Sequence, residues 1–328
     1  MEGGLEIVQD RLEGRPLGPW RELGHEQTLA VVAATVGGPR SAAADHVDLE
    51  AAVDVDPDPA VLSHGLGMRI VSWNVNSVRV RLEAIRRFVR KYEPDVLCLQ
   101  ETKVEDHLFP REAFARMGFA NTIVAGQKGY HGVAIATRRP VSSHHQRRIG
   151  GRRQARHVAI EVDGIEIHDV YVPAGGERPD PEQNPAFAYK LRFLRSMARW
   201  MRSWPNDVPR VLVGDLNVAP LETDVWSHQK LRRVITHTEV EIEHLAAVQR
   251  SCGWVDAARS VVPPSEKLFT WWSHRGDWRR LNKGRRLDHI WVTPTLEKRI
   301  RDVKVATEVR GWRRPSDHAP LFVDLDTR

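Results

Sequence analysis

MRIVSWNVNSVRVRLEAIRRFVRKYEPDVLCLQE, residues 68 to 101, decides the architecture. Its first part, Arg69 to Val75, is nearly continuous in apolar side chains and reads as a strand covered on both faces. Val80 to Tyr92 then places Leu82, Ile85, Phe88 and Val89 on one helical face. Asp95 to Leu99 is a second short apolar run and reads as another buried strand. Strand, helix and strand in so short a span point to an α/β protein.

The same alternation continues outward. Gly132 to Thr137, His157 to Val162, Ile165 to Val172, Arg210 to Val213, Asp288 to Thr293, Val303 to Thr307 and Leu321 to Leu325 read as strands. Ala186 to Trp204 is a helix, with Phe187, Leu191, Leu194, Met197 and Met201 at spacings of three or four. Many short strands with few helices predict two packed sheets with helices outside, in one domain over residues 68–328.

Residues 1–67 differ in kind. They hold 12 acidic and four basic residues, are rich in Ala, Gly, Pro and Asp, and show poor periodicity. They read as a disordered or weakly ordered extension, or as sequence ahead of a true start at Met68. The remainder holds 45 basic and 31 acidic residues, a net charge of +14. Such a charge fits a polyanionic partner, although charge alone does not separate nucleic-acid binding from an arginine-rich soluble surface. Apolar residues at 41% beside 28% charged read as a soluble globular chain and exclude wholesale disorder. The longest largely apolar run, Leu29 to Val36, falls far short of the about 20 residues a membrane span needs. The acidic N-terminus does not read as a secretory signal. Two cysteines, Cys98 and Cys252, make no disulfide framework, so a cytoplasmic protein without a membrane role is expected.

Five strand ends carry the same kind of polar word. They are Ser72-Trp-Asn74-Val-Asn76, Leu99-Gln-Glu101-Thr, His168-Asp-Val-Tyr171, Val213-Gly-Asp215-Leu-Asn217 and, ahead of the last strand, Ser316-Asp317-His318. Each has a structural reading of its own: Asp215 and Asn217 as an Asx-turn, Tyr171 as a core tyrosine, Asp317-His318 as a surface pair. Five such words at buried strand ends favour one oxygen-rich site, of the kind hard divalent cations prefer. No Cys/His cluster suggests structural zinc.

These words resemble the exonuclease III family of abasic-site DNA endonucleases, within the endonuclease/exonuclease/phosphatase superfamily. The similarity runs from Met68 to the C-terminus. It includes Gly129-Tyr-His-Gly-Val-Ala-Ile135, Phe269-Thr-Trp-Trp272, Arg286-Leu-Asp-His-Ile290 and Arg314-Pro-Ser-Asp-His-Ala-Pro320. The fold this implies is a four-layer α/β sandwich, two mixed sheets face to face with helices outside.

The resemblance also implies roles. Glu101 would be the principal Mg²⁺ ligand, with Mn²⁺ as a substitute, supported by Asn74. Asp215 would position or deprotonate the attacking water, and Asn217 would hydrogen-bond phosphate oxygens. His318 would contact the scissile phosphate, oriented by Asp317, with Asp288 as the buried carboxylate of that chain. Asp215, Asn217, Asp317 and His318 complete the expected metal surroundings. Tyr171 would stabilise the transition state. Arg79, Arg286 and Leu287 would contact DNA, and Trp271 with Phe269 would form the pocket for a baseless sugar. The implied activity is hydrolysis 5′ to abasic sites with trimming of 3′ ends, by a monomer on double-stranded DNA. Asn76 departs from relatives that carry an acidic ligand there, and Thr236 to Ala246 is only loosely similar. Phospholipid hydrolysis on the same fold, and a non-catalytic nucleic-acid binding module, are the competing readings.

Overall fold

Apolar residues alternate inward and outward along the central strands, and both sets are buried. The computed structural model describes residues 67–327. On β1 (Gly67–Asn74), Met68 and Ile70 face one core while Val71 and Trp73 face another. On β2 (Val96–Gln100), Val96 and Cys98 share the first core, and Leu97 and Leu99 the second. A strand with no polar face needs cover on both sides, and that demand sets the layer count.

The remaining strands are β3 (Asn121–Ala125), β4 (Val133–Thr137), β5 (Ser143–His145), β6 (His157–Val162), β7 (Ile165–Val170), β8 (Arg210–Asp215), β9 (Val255–Asp256), β10 (Trp271–Trp272), β11 (Gly284–Arg285), β12 (Asp288–Val292), β13 (Ile300–Val305) and β14 (Leu321–Asp326). One six-stranded sheet runs β13-β14-β1-β2-β4-β3, and the other β5-β6-β7-β8-β12-β9. Between them lies the inner core, with Ile70, Val96 and Ile135 from the first sheet and Ile160, Ile167, Val213 and Ile290 from the second.

Helix α1 (Leu82–Tyr92) covers the outer face of the first sheet through Ile85, Phe88 and Val89. A short helix, α2 (Arg111–Arg116), adds Phe114 to the same cluster. Against the second sheet, α3 (Pro185–Met201) lays Phe193, Leu194 and Met197 on Val170, Leu212 and Trp291. Two further helices follow, the short α4 (His228–Leu231) and α5 (Glu239–Ser251), whose Leu245 and Val248 join α3. Helix, sheet, sheet and helix make the expected four layers.

The boundaries follow local chemistry. Asn184 starts α3 by accepting from the N–H groups of Ala186 and Phe187, with Pro185 at the first position. Thr238 and Glu241 form a capping box at the start of α5. Sequence reading missed α5, whose apolar face is thin, and the strands β3 and β5, which are the edges of the two sheets. The expected extension falls outside the described residues, apart from Gly67, which opens β1. No helix among the described residues is long and apolar enough to cross a membrane.

Topology sends the polar words to one edge. β1 and β2 run parallel, as do β7 and β8, so Asn74, Glu101, Tyr171 and Asp215 leave their strands at the same end. β12 is antiparallel to β8 and opens with Asp288 opposite Asp215. β14 is antiparallel to β1, so the segment before it delivers His318 to that same edge.

Candidate active site

Glu101 stands at the centre of one half of the cleft. Its Oε1 accepts from the Tyr171 hydroxyl at 2.7 Å and from Asn74 Nδ2 at 3.0 Å. Its Oε2 lies 2.8 Å from Lys103 Nζ, which also donates to Asn76 Oδ1 at 2.6 Å. Burial opposes the charge, but the donors from Asn74, Lys103 and Tyr171 outweigh it and lower the pKa, so Glu101 is a carboxylate. Lys103 shows that two oxygens, one from Glu101 and one from Asn76, are arranged to hold a cation.

Asp215 is the centre of the other half. Its Oδ2 accepts from Asn74 Nδ2 and from Asn217 Nδ2, both at 3.0 Å. His318 Nε2 is 3.7 Å from the same oxygen, and His318 Nδ1 is 2.8 Å from Asp288 Oδ2. Burial favours neutral imidazole, but Asp288 and Asp215 together raise His318 to about 10. Burial first, with the negative charges of Asp288 and Glu101 adding to it, raises Asp215 to about 7. The result is an imidazolium between two carboxylates, one of which can take a proton near neutrality.

The backbone is strained where the site is built. Asn76, Glu101, Lys103 and Asn217 all have φ between +46° and +54°, a region that costs non-glycine residues of order 1–3 kcal/mol. Gly214, one residue before Asp215, has φ of +143°, and a Cβ there would sit 1.9 Å from the Val170 carbonyl oxygen. Only glycine lets β7 and β8 stay paired at this point.

Several expectations require correction. Asp317 does not orient His318; its Oδ2 accepts from Trp271 Nε1 at 3.0 Å and its Oδ1 from Asn76 Nδ2 at 3.1 Å. His318 pairs with Asp288 and faces Asp215, and the donor atoms of these three side chains lie close enough together to hold a metal ion. Asn74 Oδ1 accepts from the Asn76 N–H at 3.0 Å, and its amide nitrogen bridges the carboxylates of Glu101 and Asp215. Asn217 Nδ2 points at Asp215 and at the Val172 carbonyl, so the residue shapes the carboxylate. Arg286 is 1% exposed, with Nε and Nη2 on Asp224 and Nη1 on Asp256, and cannot reach DNA. Phe269 is buried against Trp272 and β11, and Leu287 is buried beside Ala219, Val225 and Leu231. Trp271 alone of the expected pocket residues is partly exposed, and Arg79 is exposed.

Other contributors escaped the sequence. Trp226 is partly buried with Trp271 over the same apolar cluster. Lys190, fully buried, donates to the Asn217 carbonyl at 2.7 Å and pairs with buried Glu241, and so props the Asp215–Asn217 turn from behind. Glu241 lies in the loosely similar stretch Thr236 to Ala246. Arg156 Nη1 donates to the Tyr171 carbonyl at 3.1 Å and lies over the Tyr171 ring. Exposed Tyr130 stands beside His131, whose ring packs near Tyr171. An acidic residue embedded in an apolar helical run, as Glu241 is, was the available signal.

A second group of imidazoles, His145, His157 and His168, lies on the helix-covered face of the second sheet. The Arg147 N–H donates to His157 Nδ1 at 3.0 Å, which puts the proton on His157 Nε2. That atom is 3.1 Å from His168 Nδ1, and His168 Nε2 faces Glu166 at 3.4 Å. The nitrogens that face each other are thus already used, and the group is a structural proton-sharing chain under Trp200 and Trp204.

A model of the endonuclease/exonuclease/phosphatase family matches residues 71–318. The chain belongs to that family. It is 29% identical over 270 residues to exodeoxyribonuclease III of Haemophilus influenzae, covering 79% of this chain and all of that protein. Among solved structures, an AP endonuclease from Archaeoglobus fulgidus is 30% identical with a TM-score of 0.74, over 79% of this chain and 99% of that one. A 3′ phosphatase from Neisseria bound to a product DNA hairpin is 32% identical with a TM-score of 0.73, over the same shares.

Proposed function

We propose that the protein is a divalent-metal-dependent DNA repair phosphodiesterase that hydrolyses the backbone 5′ to abasic sites and trims 3′ ends. The observation that carries this is the pairing of a carboxylate raised to about 7, Asp215, with an imidazolium held by Asp288, beside the separate cation seat at Glu101. Phosphodiester hydrolysis needs a base for water, donors for the phosphorane oxygens and a counter-charge. In this reading Asp215 takes the proton of the attacking water. His318 donates to a phosphate oxygen, Asn217 and Asn74 hold Asp215 in line, and the Tyr171 hydroxyl supports Glu101.

Glu101 and the Asn76 side-chain Oδ1 would hold Mg²⁺, or Mn²⁺ in its place, in the position where Lys103 now puts its ammonium. A hard cation there supplies charge neutralisation on the non-bridging phosphate oxygens. Partly exposed Trp271 and Trp226, with Leu287 beneath, form an apolar recess beside Asp317 that suits a sugar with no base. The similarity to proteins described as exodeoxyribonuclease III, AP endonuclease and 3′ phosphatase supports DNA as substrate. Two buried unpaired cysteines fit a reducing cytosol.

The test is a gel with a labelled duplex carrying one tetrahydrofuran abasic analogue, beside a recessed 3′ end. Mg²⁺ is expected to produce the 5′ incision, and both Glu101→Ala and Asp215→Asn to abolish it while the fold survives. Full-rate nicking in EDTA refutes the proposal.

A further inference from the structure

One wall of a groove outside the cleft is the loop from Gln146 to Arg156, and the other is the outer face of α3. Its two lobes measure about 420 and 510 Å³. Arg147 and Arg148 line it from the loop, and Arg192, Arg195 and Arg199 from the helix. All five are exposed. The sequence holds no acidic residue between Glu112 and Glu161, nor between Glu182 and Asp207. Among the described residues none of the five has a carboxylate partner. Elsewhere the surface mixes charges, as in Arg139–Asp163 and Arg301–Asp326.

Two of the groove's arginines are held in place. Arg147 lies over the Trp200 ring at 4.8 Å, and Arg192 over Tyr189 at 5.3 Å while its Nε donates to the Gly150 carbonyl at 3.2 Å. That bond ties the two walls together. Gly150 has φ of +72°, and a Cβ there would meet Tyr189 at 3.0 Å and Phe193 at 3.2 Å, so the loop seats on α3 only as glycine. Arg192, Arg195, Arg199 and Arg202 recur at spacings of three or four, one stripe about 15 Å long at 1.5 Å per residue. A row of unpaired guanidinium groups suits a repeating polyanion, and its length matches several successive phosphates of a DNA strand. The same loop ends at Arg156, whose guanidinium donates to the Tyr171 carbonyl, so one wall of the groove is tied to a residue of the cleft.

We propose that this groove is a second DNA-backbone site, which holds duplex phosphates outside the catalytic cleft. It rests on the reading of DNA as substrate, but not on the chemistry assigned to the cleft. The test measures binding of undamaged duplexes of about 12 and about 30 base pairs in EDTA as salt rises, where each phosphate contact contributes about 0.9 to the slope of log K against log salt. The full-length quadruple variant R148A/R192A/R195A/R199A is compared with its R148K/R192K/R195K/R199K counterpart. The alanine variant is expected to lose two or more of the slope units on the long duplex, up to about 3.6 for four contacts, and little on the short one. The lysine variant is expected to keep the parent slope, and so separates charge from a folding defect. An alanine variant whose long-duplex slope stays with the parent overturns the proposal. A parent that binds with the expected slope yet never cuts an abasic duplex refutes the cleft reading and leaves the groove standing.

Discussion

Asp288→Asn probes the arrangement on which catalysis depends. Asp288 is fully buried, and its Oδ2 is the nearest acceptor of His318, 2.8 Å from Nδ1. Burial alone lowers the His318 pKa, so the rise from 6.5 to about 10 is the work of Asp288 and, behind it, Asp215. Asparagine keeps the shape and an acceptor oxygen but removes the charge. His318 is then expected to fall to near or below its ordinary value, a change of three units or more, roughly 4 kcal/mol between its two protonation states at about 1.4 kcal/mol per unit. Asp215 feels two opposed changes, since it loses the raising charge of Asp288 and, wherever His318 turns neutral, the larger lowering charge of that imidazolium. Under the proposed roles, activity in the parent requires Asp215 ionised and His318 protonated. The kcat profile should therefore rise through about pH 7 and decline through about pH 10. In the variant the alkaline limb should move down by about three units, and at pH 8, where only about one His318 in ten would keep its proton, kcat should fall about tenfold. Single-turnover cleavage across pH 5 to 11 reads both limbs. An alkaline limb that stays where the parent has it refutes the assignment of Asp288 as the group that keeps His318 charged.

Arg286→Met separates an interior ion pair from a DNA contact. It leaves Asp224 and Asp256 without their main counter-charge, a loss of about 3–5 kcal/mol for a broken buried pair. Arg259 still reaches Asp224 and keeps the cost near the lower end; urea unfolding should show it, and a change in KM with an unchanged midpoint contradicts the burial argument. Gly214→Ala forces a methyl into the Val170 carbonyl and is expected to cost of order 1–3 kcal/mol for the strained backbone while moving Asp215. Thermal melting and kcat should fall together, and a variant with parental values of both would show that β7 and β8 can part there without consequence.

Much of the molecule was legible because strands and helices declare themselves locally. The runs at Arg69 to Val75 and Asp95 to Leu99 need cover on two faces, and the observed β1 and β2 receive it. Edge strands β3 and β5 were missed because an edge carries little of that signal; all three residues of β5 are exposed. Helix α5 was missed because its stripe is interrupted by Glu241, which pays its desolvation through Lys190, a partner 51 residues away.

From its residues alone, this chain dictated which polar side chains would arrive at one edge. Strand ends are local features, and their identity is written in order along the polypeptide. Tertiary structure alone decided who pairs with whom. Neighbouring residues in extended backbone point to opposite sides, so Asp317 turns to Trp271 while His318 turns to Asp288, which is 30 positions distant in sequence. The same divergence sends Arg286 inward to Asp224. Partnership across sheets depends on register and on what a buried charge finds within about 3 Å, and no spacing along the chain encodes that distance.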